Sequence, residues 1–216
     1  MSHRPRPRLL LVDDHHLVLE GLRLELQDEY EIAGMVATGE EVLDACRRLH
    51  PHCVLLDLGL PGRSGLEVIL DMHAEFPEIK IIVVTMYRDR VLAEAALQSG
   101  AQGFVPKDAG PAELKVALTE VLGGGRYLSP LVPKHGPRHA PGAVAFGLAK
   151  LTPRQRQVVE LIGDGMSTER IAQELHLSHW TVTFHRTRIR KALGLDTEWS
   201  LLRYAILVRM SETEKG

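Results

Sequence analysis

Four short apolar runs in this chain each end on a side chain that can handle phosphate or a metal ion. Leu9-Leu10-Leu11-Val12 stops at Asp13-Asp14, Cys53-Val54-Leu55-Leu56 at Asp57, Ile81-Ile82-Val83-Val84 at Thr85, and Gly103-Phe104-Val105-Pro106 at Lys107. One acid at the end of a strand is ordinary solvated polarity. All of these groups falling at strand ends together is not. Three carboxylates gathered in one place repel unless a cation sits among them, and hard oxygen ligands with open positions suit Mg²⁺. Asp57 is then available as a nucleophile, Lys107 supplies a point charge for a phosphoryl oxygen, and the Thr85 hydroxyl supplies a hydrogen bond. The chemistry this predicts is an acyl phosphate on Asp57. His15 and His16 lie beside the acids, but adjacent residues at a helix start point apart, so they read as polar flank.

Such a crevice requires the strands to lie parallel with their carboxyl ends at one edge. Continuous apolar runs predict strands buried on both faces. Between them the text turns helical: Leu17, Val18, Leu19, Leu22 and Leu26 share one spacing, 40–49 another, and Tyr30 to Val36 reads as a second strand. Pro61 and Gly62 give a turn, after which Ser64 is placed to cap a helix that Pro77 closes. Helices stopping at Gly100 and running from Pro111 to Leu122 complete an alternation of five strands with five helices. Crossovers of that length force parallel pairing, and the predicted fold is an α/β, doubly wound, flavodoxin-like sheet of five parallel strands. In the order 2-1-3-4-5 the first and third strands are neighbours, so Asp13, Asp14 and Asp57 meet at the switch point.

The 216 residues are enough for two domains, and the composition changes between them. Residues 1–122 carry 12 Lys and Arg against 20 Asp and Glu, whereas residues 151–216 carry 10 against 8. Residues 123–150 hold Gly123-Gly124-Gly125, Pro130, Pro133, Gly136, Pro137, Pro141, Gly142 and Gly147, with no period of 2 or 3.6, and read as a linker ordered in part around Tyr127-Leu128 and Phe146. No apolar run reaches the roughly 18–20 residues of a membrane span, and no signal-peptide pattern follows the basic start, so the expected location is the cytoplasm, without membrane contact. Cys46 and Cys53 are too few for a disulfide framework and read as core residues.

The back domain is predicted all-α with four helices. Thr152, Pro153 and Gln155 form a capping box with proline in the first turn. A helix over about 168–175, a tight turn at His176-Leu177-Ser178 and a basic helix from His179 to Leu193 stopped by Gly194 make a helix-turn-helix. Asp196 or Thr197 caps the last helix. Val182, Ile189 and Leu193 point inward on the basic helix, leaving Trp180, Thr183, Phe184, Thr187 and Lys191 on its other face. In a major groove, Phe184 and the threonine methyls can touch thymine methyls, while Arg186, Arg188 and Lys191 reach phosphates or guanine edges.

These residues carry a resemblance. Residues 8–122 resemble the receiver domain of bacterial two-component response regulators through Asp13-Asp14, Leu56-Asp57-Leu58-Gly59-Leu60-Pro61-Gly62, Thr85 and Phe104-Val105-Pro106-Lys107. Residues 151–209 resemble the LuxR-type helix-turn-helix through Leu151-Thr152-Pro153-Arg154, Ile171-Ala172, Ser178, Thr181-Val182, His185 and Leu193-Gly194. The two in this order are similar to the NarL/FixJ class over nearly the whole chain. The resemblance implies that Asp57 accepts a phosphoryl group from a sensor histidine kinase. It implies Mg²⁺ held by Asp13, Asp14, Asp57 and the Gly59 carbonyl, a switch pair of Thr85 and Phe104, and Lys107 as the phosphate lysine. Tyr87, Arg88 and the helix 89–99 become the output face, and Ser178, Thr181 and His185 join the DNA-facing set. It further implies a homodimer through Leu201, Tyr204, Ala205 and Val208, bound to two half-sites of double-stranded promoter DNA. The chain is then a transcriptional regulator and not an enzyme, apart from autophosphatase activity of the receiver.

The chain departs from that pattern where the family's usual lysines are replaced by Thr183 and Thr187 and its usual glutamates by Gln155 and Arg170. Fewer cations weaken the phosphate term of DNA binding, so base preference does not transfer. Two other readings use the same residues. A Mg²⁺-dependent phosphatase needs a cap domain and an acid two residues beyond Asp57, where Gly59 sits. A phosphorylation-independent regulator would use the receiver only to dimerise.

Overall fold

A computed structural model describes residues 6–60, 63–134 and 147–213. Pro61, Gly62, Gly136, Pro137, Pro141, Gly142 and Phe146, all named above as turn or linker residues, lie outside the described residues. Two compact units divide the chain, residues 1–133 and 134–216.

The first unit is a parallel sheet of strands β1 (Arg8–Val12), β2 (Glu31–Val36), β3 (Cys53–Leu56), β4 (Lys80–Thr85), β5 (Gly103–Pro106) and β6 (Tyr127–Leu128), ordered β2-β1-β3-β4-β5-β6. Helices α1 (His16–Leu26), α2 (Glu41–Leu49), α3 (Gly65–Glu75), α4 (Arg90–Gln98) and α5 (Pro111–Leu122) connect them. Side chains alternate across each strand, so Leu9, Leu11, Cys53, Leu55, Ile82, Val84 and Val105 share one face with Leu19 and Leu26 of α1 and Leu114, Leu118 and Val121 of α5. The intervening Leu10, Val12, Val54, Leu56, Ile81, Val83 and Phe104 are buried on the opposite face, where α2, α3 and α4 bury Val42, Cys46, Ile69, Met72, Leu92 and Ala96. Burial on both faces explains why these strands lack polar alternation. It also raises both cysteine thiols to about 12, which makes them unreactive packing residues.

Two expectations are corrected. The sheet has six strands, not five, because Tyr127 and Leu128 pair with Gly103 and Phe104 on the outer edge of β5. The Tyr127 amide donates to Gln102 O at 2.9 Å and the Ser129 amide to Phe104 O at 3.0 Å, which satisfies edge groups that would otherwise face water. A two-residue strand has no readable period, and so it was indistinguishable from the linker. Ser129 and Val132 are buried as well, and the expected linker therefore yields its first part, through residue 133, to the first unit. Ser64 does occupy the N-cap of α3, but its side chain makes no cap bond. The start of α3 is set instead by close packing: a Cβ on Gly65 would lie 2.7 Å from Leu58 Cα.

The second unit consists of α6 (Pro153–Gly163), α7 (Thr168–Glu174), α8 (His179–Leu193) and α9 (Glu198–Thr213) around Leu151, Val158, Val159, Ile162, Ile171, Val182, Ile189, Leu201, Ala205 and Val208. Both halves of the Thr152–Gln155 capping box form. Ser167 caps α7 by accepting from the Arg170 amide at 3.2 Å, the single half of a box that Arg170 permits. Thr197 caps α9, accepting from the Ser200 amide at 3.1 Å. Helices α6 and α9 cross tightly at Gly163, where a Cβ would meet Ala205 O at 2.6 Å. Gly194 ends α8 in the left-handed conformation, φ +68°.

Candidate functional site

The carboxyl ends of β1 and β3 are neighbours because Val12 pairs with Leu56, and the Asp57 amide continues that ladder by donating to Val12 O at 2.9 Å. Asp13 and Asp57 consequently project side by side, at 2% and 6% exposure, while Asp14 is exposed. Lys107, just past β5, reaches across two strands. Its Nζ lies 2.6 Å from Asp13 Oδ2 and 3.0 Å from Asp57 Oδ2. Ligand atoms of Asp13, Asp14, His15 and Asp57 all lie within 4.8 Å of one another. Three carboxylates against one ammonium leave the cluster negative by two charges, which a divalent cation balances.

The sequence reading set His15 aside, and here it is corrected. His15 Nδ1 is 2.7 Å from Asp14 Oδ1 and 3.3 Å from Asp13 Oδ1, and its amide donates to Asp13 Oδ1 at 3.0 Å. It precedes α1 in extended conformation, φ −97°, ψ 102°, so the helical rule that separates adjacent side chains does not govern it. Its signal was adjacency to two acids before a helix start.

Burial pushes the Asp57 carboxyl above the usual carboxylate value; the Lys107 charge and hydrogen bond and a Gly59 backbone bond oppose this without cancelling it. For Lys107, burial works against the ammonium, but the Asp13 hydrogen bond and the Asp57 charge outweigh it and raise its pKa. Thr85, one residue past Val84 on the neighbouring strand, is fully buried, and its Oγ1 has no hydrogen-bond partner among the described residues. Phe104 is fully buried opposite Val83. Tyr87 is half-buried, and burial together with the Asp57 charge raises its phenol. Arg88 is half-exposed and already engaged: its Nε lies 3.2 Å from Asp108 Oδ1, in the turn that carries Lys107.

In the second unit, α7 and α8 meet at His176, which takes φ +52°. Ser178 caps α8 from outside, accepting from the Thr181 amide at 3.0 Å, so these two residues shape the helix start. Val182 and Ile189 are buried, while Trp180, Thr183, Phe184, Thr187, Arg188 and Lys191 are exposed as expected. His185 is half-buried, edge-on to Phe184 at 6.3 Å. Arg186 departs from its expected role. Its guanidinium donates to Glu198 Oε2 from Nε at 3.1 Å and Nη2 at 2.8 Å, and Arg190 Nη1 reaches Glu198 Oε1 at 2.8 Å. The reason is that α9 begins beside α8 with an acid, a contact no helical spacing encodes. Burial opposes ionisation of Glu198, but the two guanidiniums prevail and hold its carboxyl below the usual range.

The dimer stripe is also corrected. Leu201, Ala205 and Val208 are at most 1% exposed and belong to the core of their own unit, with Tyr204 packed against them. They are unavailable to a second chain without unfolding the first.

Comparison with known proteins matches both units. A family model described as "Response regulator receiver domain" matches residues 9–119, and one described as "Bacterial regulatory proteins, luxR family" matches residues 149–205. The chain is 35% identical over 210 residues to the transcriptional regulatory protein MctR of Rhizobium johnstonii, covering 95% of this chain and 96% of that protein. It is 31% identical over 202 residues to the response regulator UvrY of Escherichia coli, covering 92% and 93%. Among solved structures, RcsB from Salmonella enterica serovar Typhimurium, bound to the promoter P1flhDC in the presence of the phosphomimetic BeF3⁻, is similar with a TM-score of 0.59 and 25% identity over 92% of this chain and 97% of that one.

Proposed function

The chain belongs to the two-component response regulators that join a receiver domain to a LuxR-type DNA-binding helix-turn-helix, and from that premise we propose that phosphorylation of Asp57 by a histidine kinase switches its dimerisation and promoter binding. The observation that carries this reading is the Lys107 ammonium shared between two buried carboxylates at 2.6 and 3.0 Å. No structural need is met by burying two acids and a lysine at a sheet edge, because an apolar cluster of that volume is as stable or more so.

One Asp57 carboxylate oxygen attacks the phosphorus of a phosphohistidine, a P–O bond forms as the P–N bond breaks, and the imidazole leaves as the neutral ring after taking a proton. Lys107 holds the carboxylate and then a phosphoryl oxygen. The set of Asp13, Asp14 and Asp57, completed by the Gly59 carbonyl, fits Mg²⁺ in charge and in its oxygen donors. When bound, that ion neutralises charge on the phosphoryl oxygens. Thr85 supports the switching step: a buried hydroxyl without a partner costs about 1–3 kcal/mol, and an acyl phosphate on the neighbouring strand offers it an acceptor. Movement of Thr85 toward the phosphate draws on the loop bearing Tyr87 and Arg88, with Phe104 filling the space behind. Hydrolysis of the acyl phosphate then resets the domain, and no other catalysis is assigned to the chain.

Promoter DNA is bound by α8 on two half-sites, with Arg188 and Lys191 as phosphate contacts and Trp180, Thr183, Phe184 and Thr187 facing the groove. Among the described residues no helix is long and apolar enough to cross a membrane, in keeping with action in the cytoplasm. The test is to incubate the protein with acetyl phosphate and Mg²⁺ and to follow modification by mass and DNA affinity by titration. Stable modification of the peptide containing Asp57 together with tighter DNA binding is the expected result. DNA binding unaffected by acetyl phosphate and by Asp57→Asn overturns the switch.

A further inference from the structure

The preceding reading puts α8 in the major groove without saying what is read there, and the inference below rests on that placement. Trp180, Thr183, Phe184 and Thr187 recur at intervals of three, four and seven from the first, so they form one exposed stripe along the helix. Trp180 and Phe184 stack with ring centroids 5.8 Å apart and planes 14° from parallel, and the Arg188 guanidinium lies 5.2 Å from the Phe184 centroid. Both threonine hydroxyls are already committed inside the helix. Thr183 Oγ1 donates to His179 O and Thr187 Oγ1 to Thr183 O, each at 3.1 Å. A threonine bonded back to the preceding turn presents its methyl group outward.

The cations that might have read base edges are diverted as well. Arg186 and Arg190 are held by Glu198, and Arg188 is held on the Phe184 ring. The stripe thus offers two methyls and an aromatic ring, with the Trp180 indole N–H as its one uncommitted donor. In the major groove floor the matching apolar group is the C5 methyl of thymine, since every other feature there is a hydrogen-bond donor or acceptor. We infer that this chain recognises its DNA site through thymine C5 methyl groups, contacted by Phe184 and the methyls of Thr183 and Thr187, and not through hydrogen bonds to base edges. Trp180 is a positioning residue that fixes the Phe184 ring by stacking. Readout of this kind accepts any pyrimidine with a methyl at C5, so 5-methylcytosine substitutes for a contacted thymine better than cytosine does.

A duplex is selected from a random-sequence pool with the full-length protein, and its affinity is compared with the same duplex carrying deoxyuridine for thymine, which removes only the methyl. Burial of one methyl corresponds to about fourfold in affinity, so the whole site is expected to lose about tenfold or more. Replacing one contacted thymine by 5-methylcytosine is expected to cost less than replacing it by cytosine. Phe184→Ala, at an exposed position outside the core, brings the thymine-to-uracil ratio toward one, and Thr183→Val, which keeps a methyl and removes the hydroxyl, leaves it unchanged. Equal affinity for thymine and uracil duplexes overturns the inference, as does loss of the preference in Thr183→Val. If no duplex is enriched at all, the placement of α8 on DNA fails first and the methyl readout falls with it.

Discussion

At Asp57 the folded chain holds a proton more tightly than an unfolded carboxylate does, because burial outweighs the help it receives from Lys107 and Gly59. The folded state therefore binds more protons than the unfolded one between the ordinary value of 3.8 and the raised value, and stability falls as pH rises across that window. Asp57→Asn is accordingly expected to raise the thermal midpoint of the metal-free protein at pH 7 while abolishing phosphorylation, and the gain is expected to vanish below about pH 4. Melting curves over a pH series check it; a lower midpoint for the variant at pH 7 contradicts the assignment. Lys107 gives the converse case. Lys107→Ala leaves Asp13 and Asp57 facing each other without a cation, at an expected cost of about 3 kcal/mol. Added Mg²⁺ should restore more stability to that variant than it adds to the parent, which denaturant titrations with and without the ion measure. A residue that destabilises its own domain is what a phosphoacceptor requires, since phosphorylation then relieves an existing tension among charges.

The helices of the second unit are held by features on two scales of distance. The Thr152–Gln155 box and the Ser178 and Thr197 caps act within one turn, whereas Glu198 joins Arg186 and Arg190 across two helices. Glu198 has a depressed pKa, so its contribution is present above the ordinary value of 4.5 and is lost as pH falls through the folded value. Glu198→Gln is expected to cost about 1 kcal/mol at neutral pH, as for a partly exposed network of charge-assisted hydrogen bonds, and nothing once the parent carboxyl is protonated. It also frees two guanidiniums, so non-specific DNA binding should tighten and its salt dependence steepen, which titrations at two ionic strengths detect. At the crossing of α6 and α9, Gly163→Ala places a methyl 2.6 Å from Ala205 O. The backbones must separate, and a loss of about 2 kcal/mol is expected in chemical denaturation.

For the molecule as a whole, the extent of the first unit has a measurable consequence. A fragment ending at residue 122, where helical periodicity stops, lacks β6 and the buried Val132. A fragment ending at residue 133 keeps both. Burial of the valine alone corresponds to about 1.5–3 kcal/mol, so the longer fragment is expected to unfold at higher denaturant concentration by about that much, and both should accept a phosphoryl group on Asp57. Equal stability would show that residues 123–133 contribute nothing to the receiver.

Strand ends, caps and the apolar runs between them were legible in the residues alone, because they follow from chain-local rules: a continuous buried strand, a Thr-Pro-x-Gln start, a glycine stop. The convergence of Asp13, Asp14, Asp57, Thr85 and Lys107 was legible too, since parallel connections of that length allow one sheet order. Packing between elements decided the rest. The spacing of Leu201, Ala205 and Val208 suits a dimer seam and a domain core equally, and only the position of α6 against α9 assigns them to the core. The same holds for Arg186, whose sequence context is basic and whose partner lies 12 residues away on another helix. His15 and β6 escaped for a related reason: an extended residue before a helix and a two-residue strand have no period, so their roles exist only once the neighbouring strand or carboxylate is in place.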